Sequence, residues 1–295
     1  MNELMSEALP ASLVERVLEK LGFHQYPEIS LAGLTPLYAA WGRHIPFDNV
    51  RKMIHIRERN PGPLPGSDPV DYFETWLTHG TGGTCWAGAG PLHAFLSSLG
   101  YTAIRGIGTM MAAPVLPPNH GTVTVTFDGR RYLVDSAMLC GEPLLIDPEI
   151  ETVIPHPAWG LKVAMKEGRF HVGWRPLHKT DGFECRLETF EATDAEFQDM
   201  HERTRPWSPF NHELTIRINR GEEVVGMAFG NLITFRADGT VTREPATPET
   251  RRHLLLETIG LSEEIVDRLP PDEPTPPPPG SRTALAQEEA GPGNG

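Results

Sequence analysis

Cys85 follows a Gly82-Gly83-Thr84 turn and opens an apolar-periodic segment, and His120 and Asp135 come after it on a segment patterned as a hairpin. A cysteine, an imidazole and a carboxylate can act as a nucleophile, its base and the group that orients the base. Thiolate rather than thiol attacks carbonyl carbon, and a helix N-terminus or a neighbouring imidazole favours that form. This sequence offers both.

The elements that must position these groups follow from spacing. Leu92, Phe95, Leu96 and Leu99 recur with helical period, and Gly100 supplies a left-handed stop. Cys85 is therefore expected in or near the first turn of a helix, where unpaired N–H groups and the helix dipole favour negative charge. Pro91 cannot donate to the carbonyl of Ala87, which predicts a helix that starts late or kinks. Downstream, Val123, Val125 and Phe127 alternate with threonines, Asp128-Gly129 supplies a two-residue turn, and residues 130–135 return. Pairing Phe127 with Arg130 places Thr122 opposite Asp135, so His120 and Asp135 become diagonal neighbours on one sheet face. A three-residue turn would reverse that parity. Taken singly, each residue has an ordinary reading: a buried thiol, a solvated His–Asp pair, a loop glycine.

Ile45-Pro46-Phe47-Asp48-Asn49, Gly82-Gly83-Thr84-Cys85, His120, Val134-Asp135 and Ser208-Pro209-Phe210 stand in the order of the motifs of arylamine N-acetyltransferases. Over residues 12–268 the chain resembles a divergent member of that family. The resemblance implies an α+β fold with a cysteine-protease-like Cys-His-Asp core. A helical region (1–100) would carry the nucleophile, a central antiparallel β-barrel (101–200) the His and Asp, and an α/β lid (201–269) would follow. It further implies a Cys85-His120-Asp135 triad, no bound cofactor and no metal. Acetyl-coenzyme A or another acyl-coenzyme A would serve as co-substrate, passing its acyl group through a Cys85 thioester to an amine by ping-pong kinetics. Phe47, Gly121, Met138 and Phe210 are the expected substrate-binding residues. The chain departs from the family pattern at Thr81 (Arg in the family), at Ala87 (Glu) and at Ser136-Ala137-Met138-Leu139 (Val-Gly-Phe-Gly). Three functions are thus weighed: acyl transfer to an amine, including a biosynthetic amide synthase fed by an acyl carrier protein; hydrolysis or transglutaminase-like chemistry by the same triad; and a catalytically silent ligand-binding relative. The departures favour a larger or more apolar donor or acceptor than acetyl and simple anilines.

Composition agrees with an enzyme of small molecules. The 295 residues are 39% hydrophobic, enough for a large core, and the net charge of −13 argues against nucleic acid or an anionic membrane as partner. No apolar run approaches the roughly 18 residues of a membrane span, and the N-terminus lacks a signal-peptide pattern. Three cysteines without metal spacing fit a reducing cytoplasm, with a Cys140–Cys185 disulfide as the alternative. His44, His93, His156, His171, His178, His201, His212 and His253 show no metal-ligand spacing with Cys, Asp or Glu. Ser12 to Glu15 reads as a capping box opening the first helix. Residues 60–68 and 114–119 read as Pro-rich loops, 72–77 as a short helix, and 102–110, 214–219, 223–229 and 232–236 as strands. Helices over 248–259 and 262–269 precede a Pro- and Gly-rich segment, 270–295, expected to be a disordered tail.

Overall fold

Leu13, Val14, Val17 and Leu18 form the buried stripe of α1 (Ala11–Lys20) in the computed structural model, which describes residues 8–111 and 117–279. The expected capping box at Ser12 does not form. The helix begins one residue earlier because the Pro10 carbonyl already accepts from the Leu13 and Val14 N–H groups, at 2.9 and 3.0 Å. Next come α2 (Leu31–His44), capped by the Ser30 hydroxyl, a two-residue strand β1 (Phe47–Asp48) and α3 (Val50–Arg57). In α4 (Pro69–His79) Asp68 caps the N-terminus, Pro69 takes the first position where its missing N–H costs nothing, and Gly80 closes the end with φ 74°. The nucleophile's helix, α5 (Cys85–Ser98), is buried on nearly every side and runs through the centre of this region. Trp41, Tyr72, Phe73 and Trp76 pack around it with little or no exposure.

The late start expected for α5 does not occur. Gly88 N–H reaches the Thr84 carbonyl at 2.8 Å, so helical bonding begins at the nucleophile itself. Pro91 is accommodated in the interior, where the turn before it, Ala87-Gly88-Ala89-Gly90, presents nothing larger than a methyl to its ring.

An eight-stranded antiparallel sheet follows, formed by β2 (Ala103–Met110), β3 (His120–Phe127), β4 (Arg130–Leu133), β5 (Leu144–Ile146), β6 (Thr152–Ile154), β7 (Leu161–Lys166), β8 (Arg169–Trp174) and β9 (Phe183–Thr189). Its order, β5-β4-β3-β2-β9-β8-β7-β6, brings the two edge strands beside one another, so the sheet curls into a nearly closed barrel. Of the loop expected at 114–119, residues 114–116 lie outside the described residues. The chain then forms α6 (Asp194–Glu202), opened by a Thr193–Glu196 capping box, and a 3₁₀ turn (Pro209–Asn211). A second sheet holds β10 (Thr215–Asn219), β11 (Glu223–Ala228), β12 (Asn231–Arg236) and β13 (Val241–Pro245), with β1 as its first strand. Past α7 (Pro248–His253), it packs one face on α3, a π-helical turn (Leu254–Ile259) and α8 (Glu263–Arg268) through Ile216, Met227, Leu254 and Ile265. This is the α+β arrangement of helices, barrel and α/β lid.

The segment from 270 is tied down where it is described. Asp272 Oδ1 accepts from Leu214 N–H at 2.9 Å, Glu273 N–H reaches the His212 carbonyl at 3.0 Å, and Trp207 Nε1 donates to the Pro276 carbonyl at 3.1 Å. Residues 280–295 of the expected tail lie outside the described residues. Among the described residues no helix is long and apolar enough to cross a membrane.

Candidate active site

Asp128 and Gly129 both take positive φ, 48° and 74°, the conformation of a two-residue hairpin turn whose twist matches the flanking strands. That turn sets the register Phe127↔Arg130 through Thr124↔Leu133. Past the ladder, Val134 N–H still reaches the Val123 carbonyl at 2.9 Å, which delivers Asp135 to the face that carries His120. His120 Nε2 and Asp135 Oδ2 are 2.7 Å apart, with both side chains almost fully enclosed. The other carboxylate oxygen accepts the N–H groups of Ala137 and Met138 at 2.8 and 2.9 Å. The Tyr38 hydroxyl donates to the Asp135 backbone carbonyl (2.8 Å) and accepts from its N–H (2.9 Å), so the backbone beneath the carboxylate is held as well.

Cys85 opens α5 with Thr84 as N-cap and couples to His120, whose ring it helps to keep charged. With Nε2 committed to Asp135, Nδ1 is the ring nitrogen left for sulfur. The thiol also approaches the Asn119 carbonyl at 3.8 Å, and Asn119 is itself pinned by Gly108 (3.0 Å) and by Met110 N–H (2.8 Å). Burial works against a charged imidazole, but the Asp135 charge and hydrogen bond, together with Cys85, raise His120 to about 10. Burial likewise pushes Asp135 up, and His120 outweighs it, leaving the carboxyl below its usual range. The pair therefore stands as imidazolium and carboxylate. Cys140 and Cys185 are different: burial drives the first up to about 12 and the second well above its ordinary value, and all three cysteines are free thiols, so the alternative Cys140–Cys185 bridge is absent.

The turn before the nucleophile is held from below. Asp48 accepts Gly82 N–H at 2.6 Å and Val50 N–H at 2.9 Å, and Phe47 bridges to Gly83. Burial raises the Asp48 carboxyl to about 6. A Cβ on Gly82 would fall 1.8 Å from the Pro46 carbonyl oxygen, so only glycine fits.

The departures from the family pattern have visible surroundings. Gly66 presses onto Ala87, where a Cβ added to Gly66 would lie 2.5 Å from the Ala87 side chain, so the space a glutamate would need is filled by the 60–68 loop. Thr81 is buried, and among the described residues its hydroxyl has no hydrogen-bond partner. Leu139 adopts φ 51°, the left-handed conformation that suits the family's glycine, and is held there by Asn219 Nδ2 donating to its carbonyl at 2.7 Å.

Of the expected substrate-binding residues, Phe47 and Phe210 meet edge to face with centroids 5.5 Å apart, and Met138 is buried beside Asp135. At Gly121 the rings of Trp86 and Phe197 lie 2.7 Å from where a Cβ would be, so a glycine there makes room for the aromatic pair. Three residues of the site escaped the sequence reading: Tyr38, Lys52 and Arg217. Lys52 is buried, donates to Thr204 Oγ1 at 2.8 Å, and is pulled down by burial to about 7 against the opposing influence of Cys85 and Glu202.

Helices, nearly closed barrel and lid around a buried cysteine, histidine and aspartate define the N-acetyltransferase class of enzyme. A family model described as N-acetyltransferase matches residues 30–266, and the chain belongs to that family. In fold it is similar to arylamine N-acetyltransferases from Mycobacterium smegmatis (TM-score 0.73, 18% identity, 86% of this chain and 95% of that one) and M. tuberculosis (0.72, 19%, 86% and 95%). It is also similar to the enzyme from Bacillus cereus, described as having a unique Cys-His-Glu catalytic triad (0.68, 18%, 86% and 100%). No curated protein matches the chain in sequence. The protein is thus a divergent member of the arylamine N-acetyltransferase family.

Proposed function

We propose that the protein transfers an acyl group from an acyl-coenzyme A through a thioester on Cys85 to an amine. The observation that carries this reading is the buried chain from Cys85 through His120 to Asp135, with the His120–Asp135 link at 2.7 Å. Charged His120 supports a thiolate at Cys85, which attacks the thioester carbonyl and expels the coenzyme A thiolate; His120 supplies that leaving group with its proton. The acceptor amine then attacks the Cys85 thioester, His120 takes the amine proton, and the amide departs as Cys85 thiolate is restored. Asp135 supports the charged ring throughout. Phe47, Met138 and Phe210 line the acceptor side, and the three unpaired cysteines suit a reducing compartment such as the cytoplasm.

Intact-mass measurement after incubation with a series of acyl-coenzyme A donors tests the proposal. A single acyl adduct that maps to Cys85, vanishes in Cys85→Ala and is discharged by amines supports it. An adduct lost equally fast without amine would make the protein a hydrolase. No adduct with any donor, coenzyme A-borne or carrier-borne, would make it a silent relative.

A further inference from the structure

Arg217 lies in the middle of β10 at 4% exposure, and no step of the acyl transfer uses it. Its guanidinium donates one hydrogen bond, from Nη2 to the Ala137 carbonyl, and sits between the rings of Phe47 and Trp174, with Cζ 5.4 and 4.6 Å from their centroids. Among the described residues it has no carboxylate partner. Asp135, whose charge it feels, is already committed to His120 and to two backbone N–H groups. Burial pulls Arg217 down to about 10, which still leaves it charged at neutral pH. A buried charge whose nearest carboxylate is already committed elsewhere is costly unless a further partner meets it.

Holding the 136–139 segment does not explain this cost. Two residues along the same strand, Asn219 holds the Leu139 carbonyl at 2.7 Å with a neutral amide. The position of Arg217 is more informative. Phe47 pairs with Gly83 on one side and with Arg217 on the other, so Arg217 stands two strand spacings, about 10 Å, from the glycine turn that carries Cys85. An aromatic-flanked guanidinium carried by a strand two spacings from the nucleophile's turn suits a small molecule whose reacting group is at sulfur and whose far end carries a planar anion.

We propose that Arg217 is the specificity-determining residue for a carboxylate carried by the substrate, received by the free edge of its guanidinium between Phe47 and Trp174. This rests on the reading of Cys85 as the acylated nucleophile. The carboxylate has two sources: the far end of a dicarboxylic acyl group, or the acceptor amine.

The test compares kcat/KM for substrates that differ only in charge. Glutaryl-coenzyme A is set against its terminal amide, and 4-aminobenzoate against 4-aminobenzamide. In the wild type one pair favours the carboxylate by roughly 10- to 150-fold, the range of a hydrogen bond to a charged group. In Arg217→Gln the preference falls to within about threefold of unity, and Arg217→Lys retains part of it. The pair that responds identifies the source. Each ratio is independent of the amount of active protein, so a variant that folds poorly still reports. A wild-type ratio near unity in both pairs, or a preference that survives Arg217→Gln, overturns the proposal. Should no thioester acylate Cys85, the acyl-transfer reading fails separately, and isothermal titration of the intact protein with benzoate, glutaramate and benzamide decides the role of Arg217. Binding of either anion over benzamide that is lost in Arg217→Gln supports it; equal or absent binding overturns it.

Discussion

Replacing Asp135 by asparagine tests whether the carboxylate acts by its charge. Because Oδ1 accepts the Ala137 and Met138 N–H groups at 2.8 and 2.9 Å, the asparagine carbonyl must occupy that place, and its amide N–H then faces His120 Nε2. The ring is forced to accept on Nε2 and to hold its proton on Nδ1, towards Cys85, the wrong tautomer for taking the thiol proton. Burial, the largest influence on His120, then acts unopposed by Asp135, and the imidazole falls from about 10 to its ordinary value of about 6.5 or below. That loss is on the order of 4–5 kcal/mol, or about three powers of ten in the imidazolium–thiolate pair at neutral pH. Stopped-flow acylation under single-turnover conditions should therefore slow by roughly 10³-fold, with the half-saturating donor concentration changed far less. Calorimetry on the same sample verifies the fold. Acylation within tenfold of wild type in a folded Asp135→Asn protein would refute the reasoning.

Iodoacetamide near pH 6 should alkylate Cys85 much faster than Cys140 or Cys185, whose thiols burial pushes up; peptide mapping that finds equal rates would remove the activated-nucleophile reading. Asp48 is raised by burial to about 6, above its unfolded value of about 3.9, so its stabilising contribution is present below pH 4 and lost as pH rises through 6. In urea titrations Asp48→Asn should gain roughly 2 kcal/mol on the wild type between pH 4.5 and 7, whereas a constant difference would argue against a buried charge. Gly121→Ala would set a methyl 2.7 Å from the Trp86 and Phe197 rings, and should lower the unfolding free energy by about 1–3 kcal/mol; an unchanged value would mean the rings move freely.

Local rules carried the hairpin and failed where packing decides. Asp128-Gly129 permits few turns, so the register and the meeting of His120 with Asp135 follow from a dipeptide and alternation. By contrast α2, with Gly33 and Pro36 inside it, is a poor helix by propensity, and it forms because Leu34, Leu37, Tyr38 and Trp41 bury one face. The short strands from β5 to β8 carry little periodicity and are ordered by their neighbours in the barrel. Arg217 was hidden by its own pattern. In β10 Thr215, Arg217 and Asn219 alternate with Ile216 and Ile218, which reads as a strand with one wet face, yet all five are buried because the barrel covers the polar side. Tyr38 had no sequence signal, since its hydroxyl is recruited by backbone atoms of Asp135 far along the chain.

The two-residue strand β1 sets an order of assembly. Its ladder partner is β10, and Asn49 beside it donates to the Phe210 and Glu213 carbonyls and accepts from Thr215 N–H, all near the other end of the chain. During synthesis the helices, Cys85 and the His120 hairpin leave the ribosome well before these partners exist, and such non-local pairing closes late. A nascent or clipped chain ending before Asn219 would leave Phe47, and through it the turn that carries Cys85, without its ladder partner. Bracing of the nucleophile's turn therefore belongs to the last third of translation.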